Sequence, residues 1–303
     1  MIVGDLPADD LARRLRSNGL RVRTGPIVNR IQSRLPRVAQ GVALHYAEHP
    51  LEDPDGFADF HVRLASPRSV RRWLRPQAVF QFDGGRPFLP LPANQAFAML
   101  EWGLNWCVSS HCHQYLIVHA AAVEKNGAAL VLPGPPGSGK STLCAGLVSR
   151  GWRLLSDELT LLEFPTGNVV PLPRPVSLKN ASINAIRQFS PDATLGPPVH
   201  DTVKGSVAHM TPPAQSVRRA TETARPRWIA RPRYERAAAP RLGALSKARA
   251  FMHLADSAFN YDVHGRRGFE LLADVVAGSD CFEFRYGALE DAVAVFDDAA
   301  RRG

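Results

Sequence analysis

The chain is short of cysteine, of long apolar runs and of acidic residues, and each shortage excludes something. Four cysteines in 303 residues, unevenly spaced, cannot staple a disulfide scaffold, so reduced thiols are expected. No run approaches the roughly 18 apolar residues that a membrane span requires. The opening MIVGDLPADDLARRLR reaches charge too soon for a secretory signal, and a cytoplasmic location is therefore expected. There is no internal repeat. Asp and Glu number 28 against 37 Lys and Arg, a net charge of +9. The excess is local, because residues 201–241 hold nine basic side chains and three acidic ones. With 45% apolar and 21% charged residues the chain can bury a core, which excludes a disordered or fibrous protein. At roughly 150 residues per domain, about two domains are expected.

The opening third reads as short elements. Residues 6–18 predict a helix with Leu11 and Leu15 on one face. Phe60, Val62 and Leu64 alternate as in a strand, and Asp83-Gly84-Gly85 between two apolar stretches predicts a hairpin. From Asn94 to Ser109 the helical recurrence of Phe97, Leu100, Leu104 and Val108 predicts a packed helix that closes the first domain, with Trp102 and Trp106 as core residues. Further on, Asn126-Gly127 is a strong hairpin signal; pairing outward sets Lys125 against Ala128, Val123 against Leu130, and His119 beside Gly134. A helix over Ser138–Arg150, a strand over Trp152–Asp157, and a hairpin of Leu159–Phe164 with Asn168–Leu172 turned at Thr166-Gly167 come next. Residues 191–241, rich in Pro, Arg and Thr, predict a long mobile basic loop with one short strand near Trp228. Helices are expected over Leu242–Ala258, Arg267–Ala277 and Leu289–Ala300, and a strand over Cys281–Tyr286.

The stretch Gly134-Pro135-Pro136-Gly137-Ser138-Gly139-Lys140-Ser141-Thr142 fits the Walker A pattern between an apolar strand and a helix. Glycines let backbone N–H groups approach phosphates, and the helix N-terminus adds partial positive charge. In this pattern Lys140 reaches the β- and γ-phosphates and the Ser141 hydroxyl coordinates Mg²⁺. Asp157 and Glu158 lie 17 and 18 residues after Lys140, room for one helix and one strand, so they are expected at the end of the strand neighbouring the loop. An acidic pair so early is a kinase arrangement: one carboxylate helps hold Mg²⁺ and the other accepts a proton from an attacking hydroxyl.

On these residues the sequence resembles the HPr kinase/phosphorylase superfamily of bacterial serine kinases, and within it the HPr-kinase-related kinases of the A type. His119 stands 21 residues before Lys140, as the family's catalytic histidine stands before its lysine. Arg150-Gly151 ends the helix at the family's position, and Asp157-Glu158 replaces its Asp-Asp pair. Weaker likeness runs through PRPVSLKNAS and through FNYDVHGRRGFELL, where Asn260 falls near the family's Asn-Phe segment. HVRL, FLPLP, EWGLNWC and VHAAAVE are similar to the related-kinase subgroup. The resemblance implies an ATP- and Mg²⁺-dependent serine kinase with the phosphoenolpyruvate-carboxykinase type of fold, Lys140 and His119 at the γ-phosphate, Ser141 and Asp157 on the metal, and Glu158 as proton acceptor. The family's Glu-Ile-Arg-Gly carboxylate has no counterpart, so reversal of the reaction and HPr as substrate are not expected. Asp157 is then expected to take more of the metal binding, with Arg174 or Lys179 supplying the positive charge.

Cys107, His111, Cys112 and His113 do not follow a pair-and-loop zinc spacing, and adjacent ligands on one element cannot all face one ion. The basic stretch lacks aromatic interleaving beyond Trp228 and Tyr234, which argues for an arm that attracts an acidic peptide or folds over ATP, against nucleic acid. The expected architecture is α/β: an N-terminal α+β domain over 1–110 and a P-loop kinase domain over 111–303. The expected partners are ATP and a protein or ribosomally made peptide carrying the acceptor serine, with no membrane, and with a homo-oligomer left open. Two rivals stand beside this reading, a small-molecule hydroxyl kinase and a non-catalytic ATP-binding scaffold.

Overall fold

A computed structural model describes residues 1–67 and 74–302. They form a mixed α/β structure. Helix α1 (Ala8–Arg16) buries Leu11 and Leu15, with Asp9 and Asp10 in its first turn and Arg13, Arg14 and Arg16 in its last, the charge order that a helix dipole favours. Strands β1 (Leu20–Thr24), β2 (Ile27–Ser33), β3 (Phe60–Ala65), β4 (Gln77–Phe82) and β5 (Leu91–Pro92) make a five-stranded sheet in that order. Phe60, Val62 and Leu64 of β3 point inward while His61 and Arg63 point out. After β4 the chain reverses through Asp83 and Gly84, both at positive φ (45° and 81°), as a two-residue hairpin turn requires. Helices α1 and α3 (Ala96–His111) pack on this sheet, and α2 (Pro36–His45) packs against both helices.

Two small sheets come after it. One joins β6 (Tyr115–Val118), β10 (Thr160–Glu163) and β11 (Val169–Val170), the last two connected through Gly167 as expected. The other joins β12 (Val176–Lys179), β14 (Gly205–Met210) and β13 (Val199–Thr202), with α5 (Ala181–Phe189) leaving β12. The largest sheet has the order β16-β17-β15-β8-β7-β9, built from β7 (Ala120–Lys125), β8 (Ala128–Pro133), β9 (Arg153–Ser156), β15 (Arg225–Tyr234), β16 (Arg241–Ala244) and β17 (Asp280–Tyr286). The hairpin register is the one read from Asn126-Gly127: Lys125 faces Ala128, Val123 faces Leu130, and the pairing runs out to Ala120 and Pro133. On one face lie α4 (Lys140–Val148) and α9 (Leu289–Arg302); on the other lie α7 (Lys247–Asp256) and α8 (Tyr261–Ala277). Helix α6 (Ala214–Arg218) closes against β9 through Ser216 Oγ, which accepts from the Leu154 N–H at 2.9 Å. Among the described residues no helix is long and apolar enough to cross a membrane.

Two expectations are corrected. Residues 191–241 are not a mobile loop: they supply β13, β14, α6 and β15, and β15 runs parallel between β8 and β17 at the middle of the large sheet. The ten-residue strand hides because its prolines argue against a strand, and because the buried run Trp228 to Ala230 is short and flanked by arginines, with Arg225, Arg227 and Arg233 exposed. Pro226 sits at a register shift against β8, and Pro232 lies past the last residue paired to β8, so neither breaks that ladder. Leu242–Ala258 is not one helix either. Leu242 to Ala244 pair with β17, and α7 begins only after Ser246, whose Oγ caps the Arg249 N–H at 3.4 Å. The Arg267–Ala277 helix starts earlier, at Tyr261, with a break at Gly265.

The N-terminal core, centred on Tyr46, Phe80, Met99 and Leu100, also takes in Ile117, Leu159, Leu161, Val170 and Leu172 from beyond residue 110. Three histidines lie at this junction. His45 bonds the Thr211 hydroxyl at 2.8 Å and stacks on Phe97, His49 Nε2 donates to the Pro173 carbonyl at 2.9 Å, and His209 packs edge-on against Phe97. Burial pushes each imidazole down to about 4. A pKa depressed on folding gives stability that is complete above the unfolded value near 6.5 and is lost as pH falls toward 4, at up to about 3 kcal/mol per group. Chemical denaturation should therefore show a marked loss of stability between pH 7 and 4.5, much of it removed in a His45→Gln, His49→Gln, His209→Gln variant. An equally steep loss in that variant would place the acid sensitivity elsewhere.

Candidate active site

Strands β8 and β9 end on the same edge of the large sheet. β7 lies between them and is antiparallel to both, so its start, just after His119, stands between the loop that leaves β8 and the acids that leave β9. Asp157 and Glu158 are therefore not on the strand adjacent to β8, as expected, but one strand further, about 10 Å across the sheet.

The glycine-rich loop Gly134–Gly139 opens α4. Gly139 takes φ +98° at the helix N-cap, and a Cβ there would lie 2.4 Å from the Tyr286 hydroxyl. Tyr286 donates to the Gly139 carbonyl at 3.0 Å, and the Tyr234 N–H donates to the Ser138 carbonyl at 3.1 Å, so the ends of β15 and β17 clamp the loop. Lys140 is buried and folds back, its Nζ donating to the carbonyls of Gly134 at 2.6 Å and Pro135 at 3.0 Å. Burial lowers its pKa. Ser141 and Thr142 come next in the first turn of α4, half-buried. A cleft of about 410 Å³ opens beside the start of the loop, lined by His119, Pro135, Pro136, Arg231, His253 and Phe259 among others. His119 donates its backbone N–H to the Ser257 carbonyl at 2.7 Å. Burial and then the nearby Lys140 charge lower its pKa, which favours the neutral ring.

Asp157 is buried, and its Oδ2 accepts from the Ser177 N–H at 2.9 Å while Oδ1 has no protein partner. Burial pushes its carboxyl up to about 6 and the Glu158 charge adds to this; the Ser177 N–H and the Ser141 hydroxyl pull it back. An unpartnered buried carboxylate oxygen near a serine hydroxyl fits Mg²⁺, which takes one or two carboxylates and completes its shell with water and substrate phosphates. Among the described residues no three His, Cys, Asp or Glu side chains converge as an all-protein cage would need.

Glu158 is held on both oxygens: Oε1 accepts from Lys179 Nζ at 3.2 Å and Oε2 from Asn105 Nδ2 at 2.5 Å. Burial pushes its pKa up, but the charges of Lys179 and Lys204 outweigh this and the net shift is down, so the acid is kept ionised. Behind it Arg174 is buried, donating to Asn105 Oδ1 at 2.8 Å, to Glu101 Oε2 at 2.8 Å and to the Glu101 carbonyl at 3.0 Å. Tyr46 donates to the other Glu101 oxygen at 2.6 Å. The Arg174 charge is thus spent on Glu101, at the wall of a cavity that Asp157 and Glu158 also line.

No protein-family model matches the chain, and no curated protein matches it. Among solved structures it is similar to the Hpr(Ser) kinase/phosphatase from Coxiella burnetii, at 10% sequence identity over 62% of this chain and 99% of that chain, with a TM-score of 0.26. A likeness at that level carries no chemical inference, and the chemistry of the site rests on its side chains.

Of the residues singled out in the sequence, the structure brings together the loop, Lys140, Ser141, His119, Asp157, Glu158 and Lys179. Asn260 lies apart, accepting from the Ile117 N–H at 2.9 Å and donating to the Tyr115 carbonyl at 2.8 Å to tie α8 to β6. The basic side chains of 201–241 do not form one arm. Arg225 and Arg227 begin β15, whereas Arg231 and Arg233 lie six residues on, about 20 Å nearer the loop. Trp106 packs in the N-terminal core against Phe82 and Phe88, but Trp102 is half-buried and faces the acids. Asn105, Lys204 and Ser177 join the site with no motif to mark them. Removing one member of a buried ion pair leaves the other charge uncompensated, at about 3–5 kcal/mol. Arg174→Leu should accordingly lower unfolding stability by that order, and the Arg174→Leu, Glu101→Leu double variant should recover most of it; a double variant as unstable as the single one would show that the pair does not act as a unit.

Proposed function

We propose that this chain is a phosphotransferase that moves the γ-phosphoryl group of ATP to a hydroxyl, with a serine of a protein or ribosomally made peptide as acceptor. The observation that carries the reading is the convergence of Lys140, Ser141, His119 and the Asp157-Glu158 pair on one sheet edge, beside a helix N-terminus that can receive phosphate. On this reading residues 1–110 are an α+β domain that supports the site through α3, and residues 111–303 are the kinase domain.

The loop N–H groups and Lys140 bind the β- and γ-phosphates, Lys140 exchanging the carbonyls of Gly134 and Pro135 for phosphate oxygens. Ser141 and Asp157 hold Mg²⁺, which when bound neutralises charge on the phosphate oxygens. The acceptor hydroxyl gives its proton to Glu158 as its oxygen forms a bond to the γ-phosphorus. The bond from that phosphorus to the bridging oxygen breaks, and ADP leaves with the electron pair. Lys179 and Asn105 keep Glu158 ionised and aimed, and neutral His119 offers a hydrogen bond to the transferring group.

Lys140→Ala should abolish most Mg·ATP affinity or turnover, measured by calorimetric titration, while the variant still melts as a folded protein. Unchanged ATP binding and turnover would overturn the reading. Glu158→Gln preserves shape and should retain ATP while transfer falls roughly 10²-fold or more; ATP loss with normal transfer at saturation would make Glu158 a metal ligand. A chain that binds ATP but transfers no phosphoryl group to any hydroxyl would be the scaffold of the rival reading.

A further inference from the structure

Three lysines surround the acids, and two have partners within hydrogen-bond reach. Lys179 pairs with Glu158, and Lys140 sits on loop carbonyls where phosphates are proposed to bind. Lys204 does not: among the described residues no carboxylate lies within 4 Å of its ammonium, which stands 5.1 Å from the centre of the Trp102 ring. Trp102 in turn lines a cavity together with Asp157, Glu158 and Asn105.

The position of Lys204 is set from several sides. It lies in the turn between β13 and β14, where its N–H donates to Thr202 Oγ1 at 3.0 Å and that hydroxyl donates to the Gly205 carbonyl at 2.7 Å. Asn180, next to Lys179, grips the same turn: its Oδ1 accepts from the Ser206 N–H at 3.0 Å, and its own N–H donates to the Ser206 carbonyl at 2.9 Å. From the N-terminal side Gln95, at the start of α3, donates to the Asp201 carbonyl at 3.2 Å. Helix α3 and the turn therefore hold a cation over an indole face beside the proposed proton acceptor. Val203, in the same turn, is 86% exposed, so the approach is open surface that a peptide chain can cross.

We propose that Trp102 and Lys204 form the acceptor subsite and select a serine flanked by a carboxylate, one or two residues away along an extended peptide. This rests on the kinase reading for the position of the reacting hydroxyl. A cation on an aromatic face retains its charge for a second partner, and Lys179 is already committed to Glu158, so an anionic group beside the serine meets Lys204 in preference. The selection lies in this one turn, not in the arginines of β15.

The test uses the full chain, Mg·ATP and three peptides identical except that the residues flanking one serine are Asp, Asn or Lys. Phosphoserine is measured by mass spectrometry. The wild type should favour the Asp peptide over the Asn peptide by about tenfold in kcat/KM. Lys204→Met should bring the two level with the KM for ATP within about twofold, and Lys204→Glu should shift preference to the Lys peptide. Equal rates on the Asp and Asn peptides in the wild type, or full discrimination in Lys204→Met, would overturn the subsite. Anisotropy of the dye-labelled peptides with Mg²⁺ and a non-hydrolysable ATP analogue separates this from a failure of the kinase reading. Lys204-dependent preference for the Asp peptide without transfer supports the subsite and removes the kinase, whereas indiscriminate or absent binding removes the subsite.

Discussion

The buried Arg174–Glu101 ion pair ties α3 to the segment before β12 and, through Asn105, to Glu158. Neither charge could be buried alone. Glu101 is satisfied by Arg174 and by the Tyr46 hydroxyl, and Arg174 reaches on to Asn105 Oδ1. That contact orients the amide so that its Nδ2 faces Glu158. The pair therefore does more than stitch α3 to the segment before β12: it fixes which end of Asn105 meets the carboxylate. Glu158 is consequently held between two donors that both favour its ionised form.

Sheet order supplies the second constraint. Because β7 is antiparallel to both its neighbours, the end of β8, the start of β7 and the end of β9 coincide on one edge. A glycine-rich turn, an imidazole and two carboxylates are thereby brought together from segments that run in alternating directions. The parallel strands β15 and β17 complete the edge on the other side, and Tyr286 and Tyr234 anchor the loop there. The tyrosine at 286 and the glycine at 139 are matched, since a side chain at 139 would collide with the tyrosine hydroxyl.

Burial separates the two adjacent acids electrically. Asp157 is enclosed, with one oxygen unpartnered, and its carboxyl is pushed up to about 6; Glu158 faces lysines and its carboxyl is shifted down. Two carboxylates on consecutive residues thus acquire opposite shifts in acidity from their surroundings.

By itself the sequence determined what depends on neighbours along the chain: the Asn126-Gly127 hairpin and its register, the glycine-rich turn into α4, the strand that delivers Asp157 and Glu158, and the inward alternation of β3. Each comes from local dihedral preference or from a period of two or 3.6 residues. The tertiary structure alone decided that Trp102 faces the acids while Trp106 is core, that Arg174 answers Glu101, that Asn105 holds Glu158 with the Lys204 charge close by, and that a proline- and arginine-rich stretch is the central strand β15. Those outcomes depend on helix docking and strand order between segments far apart in the chain, and a side chain's charge partner at that range leaves no periodic trace in the sequence.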